Sequence, residues 1–119
     1  MAITGAHALL YSSAPDELRA VLRDVFGFKH VDAGDGWLIF KLPPGEVAVH
    51  PKDGPGAAHE LCFMCDDIAA TADELRGASG VEVRGEPQDQ GWGVTLMLGL
   101  PGGVEVMLYE PRHPVATDL

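Results

Sequence analysis

The order of signals in the first half of this chain recurs in the second half, and that duplication constrains the fold more than any single motif. Ala6-His7 opens an apolar segment and Ala58-His59 opens another. Gly27 follows His7 by twenty residues, and Gly80 follows His59 by twenty-one. Leu42-Pro43-Pro44-Gly45 is echoed by Leu100-Pro101-Gly102-Gly103. A period in the fifties with the same element order twice marks two structural repeats. At 119 residues there is room for one domain of two such units and not for two separate cores.

Each unit reads as a strand, a helix and three further strands. Residues 3–11, ITGAHALLY, are apolar and compact enough for a buried strand. Ser12 and Ser13 offer N-caps, Pro15 suits the first helical turn, and Asp16 and Glu17 complement its dipole. Leu18, Val21, Leu22, Val25 and Phe26 form one apolar stripe, and Gly27 stops the helix. Extended segments at about 28–33, 36–42 and 45–50 follow, separated by Gly34-Asp35-Gly36 and Pro43-Pro44-Gly45. The second unit repeats this. HELCFMC reads as a strand, Asp66 or Asp67 caps a helix, and Ile68, Thr71 or Ala72, Leu75 and Ala78 form its inner face. Strands are expected near 81–86, 92–98 and 103–109. Module one thus spans about 3–50, a Pro- and Gly-rich linker 51–57, module two about 58–111, and a loose tail 112–119. The expected class is α+β, with helices packed on a largely antiparallel sheet.

Eight Lys and Arg stand against eighteen Asp and Glu, a formal charge of −10. That field repels phosphate backbones and anionic membrane surfaces, and no basic stripe opposes it. A small cationic ligand or a metal ion is favoured instead, although acidity also serves solubility. No apolar run is long enough to span a bilayer, and the start MAITGAHALL shows no secretory signal. A cytoplasmic protein is expected. Cys62 and Cys65 form a C-x-x-C within a strand, where residues three apart face opposite ways, so they read as separate core thiols.

The matched positions of His7 and His59 allow them to face each other across the approximate two-fold of a duplicated fold. Alternation groups His7 with Leu9 and Tyr11, and His59 with Leu61 and Phe63. In the last strand Glu105 shares a face with Met107 and Tyr109, amid apolar neighbours where a lone carboxylate calls for a cation. A fourth group comes from GEVAVH. Either Glu46 or His50 fits there, depending on register. Two imidazoles with one or two carboxylates suit Zn, Ni, Mn, Co or Fe(II) with positions left open for substrate. Trp37 and Trp92 hold similar places in their units and could line the mouth of the cavity with Tyr109, or pack in the core. His30 and His113 carry no argument for facing inward.

HALLYSSAPDELRAVLRDVFGFKHV, HELCFMCDDIAATADEL and LPGGVEVMLYEP together resemble the vicinal oxygen chelate superfamily, which includes glyoxalase I, bleomycin-resistance proteins and extradiol dioxygenases. The resemblance covers about residues 4–111. It implies two tandem βαβββ modules forming a curved mixed sheet around a shared cavity, and a homodimer. It also implies a divalent metal held by His7, His59 and Glu105, with Glu46 or His50 as the fourth ligand. A metal-dependent lyase, isomerase or dioxygenase would then chelate vicinal oxygens of a small substrate, with Glu105 or Glu46 as general base. Other members of the superfamily have lost the metal and bind a drug, so a metal-free protein sequestering a cationic or aromatic compound is the second expectation. The closing turn GLPGG departs from the "DPDGN" usual in the superfamily.

Overall fold

In the second unit, apolar alternation and turn chemistry agree, and there the chain builds its sheet. A computed structural model describes residues 7–51, 54–56 and 59–119. Elements run in the order α1 (Pro15–Ala20), β1 (His30–Asp32), β2 (Leu38–Phe40), β3 (Cys62–Met64), α2 (Ile68–Arg76), β4 (Glu82–Asp89), β5 (Gly93–Leu100) and β6 (Val104–Pro111). A short 3-10 turn, Ala116–Asp118, follows near the C-terminus. β3, β6, β5 and β4 lie side by side in that order, with β3 parallel to β6 and the other pairs antiparallel. The α+β class and a mixed, curved sheet are therefore as expected.

Cross-strand pairing assigns the two faces of this sheet, because directly opposed residues project to the same side. Leu98 opposes Val106 and Val83, Leu96 opposes Leu108, and Leu100 opposes Val104. These side chains meet Ile68, Ala72 and Leu75 of α2 in the core, which Leu18 and Val21 of the first helix extend. Asp67 caps α2 by accepting the Ala70 N–H at 3.1 Å, and Glu110 of β6 accepts the Ile68 N–H at 3.1 Å, so two orphan donors of the first turn are satisfied.

The first helix does not stay α-helical. Val21–Val25 form a π turn in which the Phe26 N–H reaches the Val21 carbonyl at 3.0 Å. Gly27, at φ 70°, ends it as the spacing requires. Val21 then rests on Gly80, where even a Cβ would come within 2.8 Å of its Cγ2. The units are also clasped by their loops. Ser12 Oγ donates to the Pro101 carbonyl at 2.7 Å and Ser13 N–H donates to the Gly102 carbonyl at 3.1 Å.

The first unit departs from expectation. Only β1 and β2 pair, antiparallel, with Val31 opposite Ile39. Among the described residues, neither 7–11 nor 45–50 joins a ladder, although both were expected as strands. Apolar alternation marks a segment as able to be a strand, but a strand exists only once a neighbouring edge accepts its hydrogen bonds. Residues 3–6 of the expected first strand, Ala58 at the start of module two, and Lys52, Asp53 and Ala57 of the linker lie outside the described residues.

Candidate functional site

The face of the sheet away from α2 carries the chemistry. Its central row runs Cys62, Met107, Met97 and Arg84 across β3, β6, β5 and β4. The row on one side is Met64, Tyr109, Thr95 and Gln88, and on the other Glu105, Gly99 and Glu82. Three thioethers, a thiol and a phenol thus form a half-buried floor. Unbranched, polarizable thioethers pack well on rings and adapt to different shapes. Thr95, the buried polar group of this face, is satisfied by the Gln90 side-chain amide at 3.1 Å.

An aromatic wall rises at the Tyr109 end. The Trp92 ring meets Tyr109 edge-on at 5.8 Å, and the His113 ring lies 6.1 Å from Tyr109. Tyr109 Oη and His113 Nε2 are 3.3 Å apart, within hydrogen-bond reach. Gly93 has no room for a side chain beneath this wall, since a Cβ would stand 2.9 Å from the Glu110 carbonyl and 3.2 Å from Tyr109 Cδ2. Burial first, and then the charges of Glu46 and Cys62, hold the Tyr109 phenol above its usual range. Beyond the wall, Met64, Cys65, Glu110, His113, Val115 and Thr117 help line an open cleft of about 440 Å³.

The candidate metal ligands are placed as follows. Glu105 lies on the open face, but it is exposed and not buried among apolar residues. The cation it calls for is Arg84, whose guanidinium pairs with it, lies over Gly99, and also approaches Glu82 at 3.6 Å. Glu46 is half-buried and accepts the Ala116 N–H at 2.8 Å. His50 is exposed. His7 is exposed with Leu9 and Tyr11, opposite in parity to Leu10, which packs on the core. His59 is exposed and has the parity of Leu61 and Phe63, which pack on the core side. The open face takes Glu60 instead, in alternation with Cys62 and Met64. Consistent with that, burial first and then Glu60 hold the Cys62 thiol above its usual range.

These donors do not fit one ion in this arrangement. Among the described residues no three His, Cys, Asp or Glu side chains come close enough to share a metal. Arg84 holds Glu105, a backbone amide holds Glu46, and His59 has the wrong parity. Trp37 and Trp92 also part company. Trp37 lies under the Arg19 guanidinium, 4.8 Å from the ring centroid, whereas Trp92 belongs to the aromatic wall. Cys62 and Cys65 are both free, on opposite faces as their spacing requires. Sequence reasoning missed Arg84 and His113. Gly99, the one residue without a side chain in the otherwise apolar LMLGL run, was a legible hint that something lies across that strand.

Residues 5–108 match the model of the Glyoxalase/Bleomycin resistance protein/Dioxygenase superfamily. Among solved structures the chain is similar to TnmS3, an antibiotic binding protein from Streptomyces sp. CB03234. Identity there is 26% and the TM-score 0.67, over 94% of this chain and 99% of that one. It is also similar to a lactoylglutathione lyase from Agrobacterium tumefaciens, at 20% identity and TM-score 0.63, over 90% of this chain and 92% of that one. An integron cassette protein from the mobile metagenome of V. cholerae shares the fold at 15% identity and TM-score 0.56, over 92% and 97% of the two chains. No functionally curated protein matches the chain.

Proposed function

Because the chain belongs to the Glyoxalase/Bleomycin resistance protein/Dioxygenase superfamily, we propose that it is a homodimeric binding protein that sequesters a cationic aromatic small molecule without a metal. The observation that carries this reading is the row Cys62–Met107–Met97, flanked by Met64 and by the Tyr109 and Trp92 rings. Such a floor holds a planar apolar body through dispersion and sulfur–ring contacts. Glu46 beside Tyr109 and Glu60 beside Cys62 supply negative charge at its margin, while Arg84 neutralises Glu105. A cation over the Tyr109 face gains further attraction from the ring quadrupole. The likeness to an antibiotic binding protein at 26% identity supports the same reading. Among the described residues no helix is long and apolar enough to cross a membrane. A cytoplasmic setting is part of the proposal and fits two free thiols.

The test uses Trp92 as reporter in a Trp37→Phe background. Titration with a planar cationic dye, rhodamine 6G, should quench its emission, and the uncharged or anionic analogue should bind more weakly. Tyr109→Ala or Met97→Ala should weaken binding by roughly 10-fold or more, the effect of losing one well-packed contact. If the dye binds only after zinc or nickel is added, and Glu105→Gln abolishes that, the metal-free reading is wrong.

A further inference from the structure

Cys62, Met64, Met97 and Met107 all project from the open face of the sheet, and all four are half-buried. Beyond Met1 the chain has no other methionine. The fully buried core on the opposite face is built from Leu, Val, Ile and Ala, with no thioether among its described residues. Every internal thioether therefore shares one face with a thiol. Packing alone does not call for this segregation, since methionine fills gaps in a core as readily as on a face.

Strand register brings three of these sulfurs within reach of one point. Cys62 of β3 lies directly beside Met107 of β6, and Met64 follows Cys62 by two residues on the same face. Adjacent strands are about 4.8 Å apart, and residues two apart on one strand about 6.6 Å. The third side of the triangle, from Met64 to Met107, is a diagonal of about 7–8 Å. Sulfur donors around one ion stand at bonds of about 2.3 Å, and two unbranched side chains with three rotatable bonds each span the remainder. Met97 of β5 stands directly beyond Met107 and backs it.

We infer that Cys62, Met64 and Met107 form a binding site for copper(I), a soft monovalent cation. Ligand softness selects the ion. Thiolate and thioether donors favour Cu(I), whereas hard divalent ions take carboxylate, carbonyl and water oxygens. Charge points the same way. On binding, the Cys62 S–H bond breaks, its proton passes to solvent and a sulfur–copper bond forms, with no change in the oxidation state of copper. One thiolate then cancels one monovalent charge, whereas a divalent ion would leave a net charge on the half-buried floor. The surroundings favour a cation at the Cys62 end of the row. Glu60 acts on Cys62 and Glu46 on Tyr109, while Arg84 stands at the far end, paired with Glu105. Met64 also lines the open cleft of about 440 Å³, which gives the ion a way in. The ion is an alternative occupant of the floor and not a cofactor for an aromatic ligand, so the copper and dye titrations fail separately.

An anaerobic transfer titration tests the site, with Cu(I) supplied as its bicinchoninate complex, whose colour fades as the protein takes the ion. The full chain should withdraw about one Cu(I) per chain. Cys65→Ser should behave as the parent, because that thiol packs on the core side. Cys62→Ser should lower the affinity by about 100-fold or more, and the double substitution Met64→Leu with Met107→Leu by about 10-fold or more. Leucine is close to methionine in volume, and circular dichroism spectra like that of the parent show that the variants fold. Zinc in about tenfold excess should leave the copper in place. No transfer from bicinchoninate, transfer that Cys65→Ser abolishes, displacement by zinc, or an affinity unmoved by the paired leucines, which is how a bare thiol behaves, would each overturn the inference.

Discussion

Arg84 and Glu105 are joined across β5, the guanidinium lying over Gly99 to reach a carboxylate that has no direct strand neighbour in β4. The pair turns a negative position of the open face into a neutral one. It explains why Gly99 interrupts an apolar strand: a Cβ there would stand 2.6 Å from Arg84 Nη2.

Gly99→Ala should therefore displace Arg84 and leave Glu105 unpaired. Because both side chains are well exposed, the cost in stability is expected to stay below about 1 kcal/mol. Urea unfolding would measure it. A loss of several kcal/mol would mean that the glycine serves the backbone and not the arginine.

Gly102 should be far less tolerant. It sits at φ 83°, and a Cβ would collide with Ser12 Oγ and approach the Ser13 and Ala14 backbone nitrogens at 2.6 and 2.5 Å. Gly102→Ala combines left-handed strain with loss of the clasp between the units, and about 2–4 kcal/mol is the expected cost. The midpoint of urea unfolding should fall while its slope stays constant.

Asp67→Ala removes the side-chain cap of α2 but leaves Glu110 on the Ile68 amide. One surviving acceptor should limit the loss to about 1 kcal/mol. If the two caps share the helix terminus, adding Glu110→Ala should cost more than it does in the parent chain, a coupling that a double-mutant cycle reads directly.

Alkaline pH should weaken the fold. Burial is the main cause that raises Cys62 and Cys65, with Glu60 adding to the first; for the second, Thr71 opposes and then Glu110, Asp66 and Asp67 add. Tyr109 is raised as well, mainly by burial. A raised folded value favours the protonated form in the native state. The stabilisation is thus complete below the ordinary thiol value of about 8.5 and is lost as pH climbs through the raised values. Urea midpoints between neutral pH and pH 10 should fall, and Cys62→Ala should flatten the decline. A midpoint that rises over that interval would contradict this placement of the thiols.

Much of this molecule was legible from residue order. Alternation in VTLML and VEVMLY placed β5 and β6 and their core faces, the apolar stripes placed both helices, and Gly27 marked the end of the first. Trp92 and Tyr109, both expected near the cavity mouth, meet edge-on at 5.8 Å, whereas Trp37 lies under Arg19. His59 was matched to His7 by counting from the start of each unit. The ladder sets parity from Cys62 onward, and one residue of offset turns a strand side chain to the other face.

The sequence by itself determined what is local and periodic: which residues can share a face, and where helices start and stop. Hydrogen-bond geometry and the 2.0 and 3.6 residue periods act over a few positions, so their marks survive in the linear order. Only the tertiary structure decided the partners of charged and aromatic groups: Arg84 for Glu105, the Ala116 amide for Glu46, and His113 for Tyr109. Ala116 and Glu46 are seventy residues apart, and no local period links such positions. Their meeting follows from how strands and tail are packed in space, and that packing gives Glu105 and Glu46 partners within the chain beside a sulfur-floored face.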